Sequence, residues 1–182
     1  MKLIDLMTAM DRWDQKGVWV FSLPTLRRMF PHNEERALLK ALCTHQAAGA
    51  IMRVAKGLYV NPRARSMPSD VLVTLASFLR PWDSSYLSLE SVLSDAGWIS
   101  QIPSRMTFMT TGRSQTFKTP YGTLEFTHTA QKLDKWRHDV VFDEQRRILV
   151  ATPARAYRDL KRVGRNLDLI CVDVNKLVSN SS

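Results

Sequence analysis

The 182-residue chain contains few cysteines and no apolar run that approaches the roughly 18 residues of a transmembrane helix. Its two cysteines, Cys43 and Cys171, form no CxxC pair and no Cys/His cluster, which excludes a disulfide framework and a zinc site. This spacing favours two small buried residues in a reducing compartment. Asp5, Asp11 and Asp14 argue against a signal peptide at the N-terminus. We therefore expect a cytoplasmic protein with no membrane partner.

Catalytic motifs are also missing from the sequence. There is no Walker-type phosphate loop, no GxSxG and no HExxH. A small acidic group, Asp139, Asp143 and Glu144, lacks the nearby lysine that usually accompanies the carboxylates of two-metal nucleases. We expect no enzyme, no catalytic residue, no metal and no cofactor. A catalytic or RNA-binding accessory protein stands as the third class of function.

The charge of the chain is strongly positive and unevenly distributed. The formal net charge is +9, whereas the 45% hydrophobic and 24% charged contents are those of an ordinary globular protein. Residues 1–66 contain eleven Lys and Arg against five Asp and Glu, and the other 116 residues contain fifteen against twelve. An excess of this kind favours polyanionic partners, most often nucleic acid.

Hydrophobic periodicity predicts an α+β fold in two domains. A first domain over residues 1–62 is followed by a linker at 63–69, within a stretch rich in proline, arginine and serine, NPRARSMPSD. The second domain, residues 70–182, is predicted as a mixed α+β domain with an antiparallel sheet. Each domain is long enough to bury its own core.

The first domain reads as helix, short strand, helix, helix and two-stranded ribbon. Ser22 is expected to cap the second helix and Asn33 the third, and Gly49 is the expected stop of the third helix. The segment AIMRVAKGLYVNPRAR, residues 50–65, then predicts a hairpin that turns at Lys56 and Gly57. This order of elements is that of a winged helix-turn-helix DNA-binding domain.

In such a domain the third helix enters the major groove and the hairpin places cations on the DNA backbone. The predicted base contacts are Arg36, Lys40 and Thr44, the phosphate contacts Arg27, Arg28 and Asn33, and the wing contacts Arg53 and Lys56. The alternatives are a merely solvated face at Arg36 and Lys40, and a plain helix cap at Asn33. A winged helix also serves in some proteins as a protein-interaction module.

For the second domain, residues 70–79 and 85–96 are predicted as helices, and Thr- and Phe-rich runs between 105 and 129 as an antiparallel meander. HDVVF and RILVAT predict further strands, and PARAYRDLKRVG predicts a helix that starts with proline and ends with glycine. Arg155, Arg158 and Arg162 follow i, i+3, i+7 spacing on this helix. They are expected to form a solvated basic face, or else a second nucleic-acid or partner surface.

Four segments of the chain resemble the AbiEi-type antitoxins, the regulators of type IV toxin–antitoxin pairs that act in abortive infection and phage defence. These segments are the wing GLY (57–59), SYLSLESVLSDAGWI (85–99), TFMTTGRSQTFKTPYGTLEFTH (107–128) and VATPARAYRDL (150–160). By this resemblance, the positions that match the motifs of the antitoxin domain are Tyr86, Ser88, Glu90, Thr110, Thr111, Gly112, Arg155 and Asp159.

The resemblance implies a transcriptional repressor that binds inverted repeats in its own promoter, where it could self-associate. The second domain would counter a nucleotidyltransferase-like toxin without forming a stable complex with it. An equally simple interpretation is that Ser88 and Glu90 support a helix and that Thr110, Thr111 and Gly112 end a strand. The runner-up function is a winged-helix regulator whose second domain senses a ligand or dimerises, with no toxin partner.

Overall fold

The computed structural model describes residues 1–172 and separates the chain into two compact units, Met1–Val71 and Leu72–Ser182. Residues 173–182, the end of the predicted second domain, lie outside the described residues. The architecture is mixed α+β, with one sheet in each unit. No helix in the described part of the chain is both long and apolar enough to cross a bilayer.

The first unit contains three helices and three short strands. Its helices are α1 (Leu3–Asp14), α2 (Leu23–Met29) and α3 (Glu35–Ala47), and its strands are β1 (Val20–Ser22), β2 (Met52–Ala55) and β3 (Leu58–Val60). The sheet is antiparallel in the order β1-β3-β2. Its core is built by buried side chains from all three helices and from the sheet: Leu6, Met10, Phe21, Leu26, Leu38, Leu42, Ile51 and Tyr59.

The predicted boundary residues of this unit are mostly confirmed. Ser22 caps α2, because its hydroxyl accepts a hydrogen bond from the Thr25 backbone N–H at 3.2 Å. Gly49 follows α3 with φ +70°, and Gly57 turns the β2–β3 hairpin with φ +73°, a conformation that favours glycine. The prediction of Asn33 as the cap of α3 is wrong. Its side-chain oxygen accepts instead from the Met1 backbone nitrogen, at 2.6 Å, and α3 begins one residue after Glu34.

The segment that follows β3 is fastened to the first unit by one carboxylate. Asp14 accepts hydrogen bonds from the backbone N–H groups of Arg65 and Ser66, each at 2.9 Å, and from the Ser66 hydroxyl. The bond from the Ser66 hydroxyl, together with the two backbone bonds, lowers the pKa of Asp14. Part of the segment predicted as a linker is therefore hydrogen-bonded to α1.

The second unit packs three α-helices on a six-stranded sheet. The helices are α4 (Val71–Leu79), α5 (Glu90–Asp95) and α6 (Pro153–Val163), and the strands are β4 (Ser85–Leu87), β5 (Met106–Thr110), β6 (Gln115–Thr119), β7 (Gly122–His128), β8 (Val140–Asp143) and β9 (Ile148–Ala151). Short 3₁₀ turns lie at Leu133–Lys135, Arg137–Asp139 and Leu167–Leu169. The strand order is β6-β7-β5-β4-β9-β8.

The sheet is mixed, which corrects the predicted antiparallel sheet and meander. β6 and β7 form the expected antiparallel hairpin, but β7 pairs in parallel with β5, and β4 pairs in parallel with β9. Burial explains the order. Leu124, Glu125 and Phe126 of β7 are all buried, which suits an interior strand, whereas β6 alternates between half-buried and exposed residues, as an edge strand does.

A second correction concerns residues 85–96, which were predicted as one helix. Ser85–Leu87 is the strand β4, in the middle of the sheet between β5 and β9, and the helix α5 starts only at Glu90. Leu89, between the two elements, has a left-handed φ of 58° and breaks the chain direction. A three-residue strand buried on both faces shows no period of two, so its sequence is indistinguishable from the start of a buried helix.

The helix α6 has the predicted start and end. The Thr152 hydroxyl accepts from the Arg155 backbone N–H at 3.2 Å, and Gly164 closes the helix in the left-handed conformation. The predicted face is wrong at Arg155, which is buried, while Arg158 is exposed. The prediction of buried cysteines is also wrong, because Cys43 and Cys171 are both exposed free thiols.

Candidate nucleic-acid interface and buried polar networks

The helix α3 has one buried and one exposed face. Leu38 and Leu42 are 1% exposed and pack in the core of the first unit. On the other face, Arg36 and Lys40 lie one turn apart and are exposed, and Thr44 continues the same line. The three predicted base-contacting residues therefore share one solvent-facing stripe.

The cations on this stripe are uncompensated within the described residues, where neither the Arg36 nor the Lys40 side chain has a hydrogen-bond or ion-pair partner. Thr44 donates its hydroxyl hydrogen to the Lys40 carbonyl at 3.1 Å, an intrahelical bond that leaves the oxygen free to accept. By contrast, Arg27 on α2 forms an exposed ion pair with Glu35, so the charges of these two residues offset each other.

Arg28 on α2 is exposed, and Asn33 is half-buried with its side-chain oxygen engaged by Met1. On the hairpin, Arg53 is exposed and its Nε–H donates to the Ala55 carbonyl at 3.2 Å. Lys56 is exposed at the tip of the hairpin, immediately before Gly57.

Tyr59 lies opposite Arg53 on the neighbouring strand and is 6% exposed. Its ring packs in the core of the first unit, as expected for a residue that supports the hairpin from behind. It therefore offers no surface on which a base could stack.

The second unit brings four of the motif residues into one buried polar network. Asp159 Oδ2 accepts hydrogen bonds from the Tyr86 and Ser88 hydroxyls, each at 2.9 Å, and from Arg155 Nε–H at 3.2 Å. Arg155 Nη2–H also donates to the Tyr86 hydroxyl at 3.0 Å. None of these four residues is more than 1% exposed. The motif positions in β4, after β4 and in α6 thus meet in space.

The network raises the pKa of two of its members, Tyr86 and Arg155. Burial and the neighbouring Asp159 carboxylate raise the pKa of the Tyr86 hydroxyl. Burial lowers the pKa of Arg155, but the Asp159 carboxylate outweighs it and the net shift is upward. Both shifts favour the protonated groups, whose hydrogen bonds to Asp159 join β4 to α6.

Arg158, on α6, extends the network to the surface through Asp139. Arg158 Nη2 lies 2.9 Å from Asp139 Oδ1, and Arg155 Nη1 lies 3.7 Å from Asp139 Oδ2. Arg158 is about half exposed. The basic face predicted on α6 is therefore divided between one buried cation and others that reach solvent.

A second network, around Glu90, was not predicted beyond that one residue. Arg165 donates to both Glu90 oxygens, at 2.8 and 3.0 Å, and also binds Glu125. Arg105 completes the set by donating to Glu125 at 2.7 Å, and Asn166 donates to Glu90 at 2.7 Å. Glu125 is buried on the interior strand β7 and was not predicted as a site residue from the sequence.

The motif residues Thr110, Thr111 and Gly112 brace the loop that precedes β4. The Thr111 backbone N–H donates to the Ser84 carbonyl at 2.9 Å, and the Ser84 N–H donates to the Thr111 hydroxyl at 3.1 Å. The Asp83 carboxylate lies so close to Gly112 that a Cβ at this position would overlap it. A side chain at position 112 would therefore require the Asp83 carboxylate to move.

Within residues 1–172, no three His, Cys, Asp or Glu side chains lie close enough together to hold a metal ion. No protein-family model matches the chain. No curated protein is detectably similar to it in sequence.

Proposed function

We propose that residues 1–62 form a winged helix-turn-helix domain that binds double-stranded DNA. The proposal is supported by the order of elements, α1-β1-α2-α3-β2-β3, and by the sheet order β1-β3-β2. The helix α3 is the recognition helix and lies in the major groove, which admits one α-helix. The β2–β3 hairpin is the wing and lies along the backbone or in the minor groove.

The observation that carries this proposal is the uncompensated cationic face of α3. Arg36 and Lys40 project to solvent opposite the buried Leu38 and Leu42. Of the two acids at the start of this helix, Glu35 is paired with Arg27 and does not offset the charge of Arg36 or Lys40. Arg36 and Lys40 read bases or phosphates in the groove, and Thr44 offers a hydroxyl to the same strip of DNA.

The wing supplies the sequence-independent part of binding. Arg53 and Lys56 are exposed on the hairpin, and the turn at Gly57 brings the chain back within two residues. Cations that contact phosphates release counterions, which gives affinity and salt dependence but little discrimination between sequences. Arg28 contributes to phosphate binding in the same way, Asn33 contributes as a neutral hydrogen-bond donor through its amide N–H groups, and Arg27 contributes once its pair with Glu35 opens.

We propose further that the chain is the antitoxin and autorepressor of a type IV toxin–antitoxin pair. This rests on the resemblance of four segments to AbiEi-type antitoxins. It is supported by the convergence of Tyr86, Ser88, Arg155 and Asp159, far apart in the sequence, on a single network. The second unit counters a nucleotidyltransferase-like toxin, and because the network is buried these residues act by shaping the unit.

The DNA-binding part is tested by fluorescence anisotropy with the 182-residue chain, the DNA upstream of its own reading frame and a scrambled duplex of equal composition. We expect affinity for the upstream DNA at least about a thousandfold above that for the scrambled duplex, retained near 0.15 M salt. Equal binding to both duplexes that collapses as salt rises would contradict it, and would favour a protein-interaction role.

The antitoxin part is tested by growth of cells that express the neighbouring nucleotidyltransferase with or without the chain. Restored growth is the expected result, and the R36A/K40A double variant should restore growth equally well because the second unit is intact. Failure of both proteins to restore growth would contradict the antitoxin proposal and leave DNA binding standing.

A further inference from the structure

The second unit contains a cavity of about 620 Å³ that none of the proposed functions uses. Its walls come from the end of α4, the loop that precedes β4, the sheet, and the β8–β9 hairpin. The volume falls within the range of small-molecule sites, about 300–1,000 Å³. All of these elements belong to one unit, so the cavity is formed within a single fold.

The charge of the lining is positive. Three arginines line the cavity, together with one acid, Asp83. Arg80 is paired with Asp83 at 2.9 Å, whereas the exposed side chains of Arg137 and Arg147 have no ion-pair or hydrogen-bond partner among the described residues. Arg147 is also held at a φ of 55°, a conformation that side-chain-bearing residues rarely adopt. Two uncompensated guanidinium groups at one cavity favour an anionic ligand.

The rest of the lining is apolar and aromatic. Phe108 and Ile148 are buried in the wall, and Phe142 lines the cavity while remaining 49% exposed. Trp82, between the lining residues Pro81 and Asp83, is 95% exposed. Large aromatic side chains left in solvent beside a cavity are a feature of ligand-binding surfaces.

Two wall residues carry buried N–H groups that lack an acceptor among the described residues. These are Trp136 Nε1–H, on a side chain that is 0% exposed, and Arg80 Nε–H. Most buried donors in folded proteins are paired, and an unpaired donor typically costs about 1–3 kcal/mol. The wall of the cavity therefore contains two donors without an acceptor among the described residues.

The motif residues of the second unit support this cavity from behind. Thr111 and Gly112 fix the loop that carries Asp83 and Ser84. The Tyr86 ring lies against Trp136, with the ring centroids 4.6 Å apart. The hydrogen bonds of Thr111 and the contact between Tyr86 and Trp136 therefore both support walls of this cavity.

We propose that this cavity binds a small amphipathic anion, with an aromatic body against the apolar wall and a carboxylate or phosphate held between Arg137 and Arg147. The inference concerns the second unit alone and does not rest on DNA binding or on antitoxin activity. A carboxylate and a phosphate both present anionic oxygens to guanidinium groups, so the experiment must distinguish between these two head groups.

The test uses the full chain and the fluorescent aromatic sulfonate 8-anilinonaphthalene-1-sulfonate as the probe. We expect saturable fluorescence enhancement that is competed by 2-naphthoate or by 2-naphthyl phosphate, and not by the uncharged 2-naphthalenemethanol. Whichever anion competes at lower concentration identifies the preferred head group. The R137Q/R147Q double variant should weaken probe binding about tenfold or more, since each guanidinium supplies a charge-assisted contact.

The matched control is Arg113→Gln, which removes an exposed arginine side chain outside the cavity lining and should change probe binding less than twofold. Circular dichroism checks that the exposed substitutions leave the fold intact. In nitrogen-15 NMR spectra, the Trp136 indole N–H signal, assigned with Trp136→Phe, should shift on addition of the competing anion while that of Trp13 stays in place. Equal competition by the uncharged alcohol, equal binding to R137Q/R147Q, or no saturable binding would each overturn the proposal.

Discussion

Arg155 and Asp159 lie one turn apart on α6 and form an ion pair inside the second unit, with Arg155 Nη2 2.9 Å from Asp159 Oδ1. The two side chains are 2% and 1% exposed. Asp159 Oδ1 accepts no hydrogen bond of good geometry, so only the charge of Arg155 compensates this oxygen. Asp159 Oδ2, by contrast, accepts hydrogen bonds from the Tyr86 and Ser88 hydroxyls. Removal of one member alone therefore leaves the other buried with poorer compensation.

Asp159→Asn should be strongly destabilising, because it removes the nearer counter-ion of the buried Arg155 and leaves only Asp139, 3.7 Å away. We expect a loss of about 3–5 kcal/mol in the free energy of unfolding of the second unit, measured by urea denaturation at pH 7. Replacement of both residues, in R155M/D159L, should cost less than Asp159→Asn alone. A larger loss in the double variant would contradict a dominant role for the buried charge.

Glu125→Gln should destabilise the chain in a pH-dependent way. Burial opposes ionisation of Glu125, but hydrogen bonds from Arg165 and Arg105 outweigh it and lower its pKa below the ordinary 4.5. Because the pKa is lower in the folded state, the stabilisation is fully present above about pH 4.5 and is lost as the pH falls through the folded-state pKa.

The variant should therefore lose about 1–3 kcal/mol at pH 7, and its difference from the wild type should shrink as the pH falls below 4.5. Thermal unfolding across this range measures the difference. The exposed Glu144→Gln is the control and should show no such trend. A constant difference at all pH values would mean that packing, not the carboxylate charge, is what the substitution removes.

Arg36→Ala and Lys40→Ala should each lower affinity for the specific DNA site by about 1–3 kcal/mol if the side chain reads a base, with a smaller effect on scrambled DNA. Lys16→Ala is the matched control for charge. Lys16 lies before the first residue of β1. The last residue of β1, Ser22, pairs with Leu58 next to the wing turn, so Lys16 lies beyond the opposite end of the strand. Equal losses on specific and scrambled DNA for Arg36→Ala would refute base reading by this residue.

Arg53→Ala and Lys56→Ala on the wing should weaken binding to all duplexes alike. Each substitution should also reduce the slope of log affinity against log salt by about 1, because one phosphate contact is removed. Anisotropy titrations at several salt concentrations measure both quantities. An unchanged slope would show that the hairpin does not touch the backbone.

Cys43 offers a direct footprint of the recognition helix. It is an exposed free thiol on α3, within about 20° of Arg36 around the helix axis and nearly one turn beyond Lys40. Specific DNA should slow its alkylation by N-ethylmaleimide about tenfold or more, whereas Cys171, also exposed, should react at the same rate with or without DNA. Equal reactivity of Cys43 in both states would place the DNA elsewhere.

The first unit was largely predictable because its signals are local. The cap at Ser22, the turn at Gly57 and the short apolar runs between them each act over a few residues. The prediction failed at Asn33, where the side chain bonds to Met1, a residue brought near only by folding. The intrinsic preference of asparagine for the N-cap position was outweighed by the hydrogen bond from the Met1 nitrogen.

The second unit was predictable in its helix α6 and in its outer strands, but not in how the strands pair. Nothing in the local pattern of residues 105–129 distinguishes a meander from a hairpin whose second strand also pairs with β5. The choice depends on which strand is buried on both faces, and that is a property of the whole sheet.

The sequence by itself determined the α+β content, most helix and turn boundaries of the first unit, and the concentration of positive charge in its first 66 residues. The tertiary structure decided that Arg155 is buried, that Tyr86 and Asp159 meet across 73 residues, and that a cationic cavity forms beside Trp136. The physical reason is range. Caps, turns and periodic stripes are fixed by interactions within a few residues, whereas a buried ion pair or a cavity exists only after distant strands have chosen their neighbours.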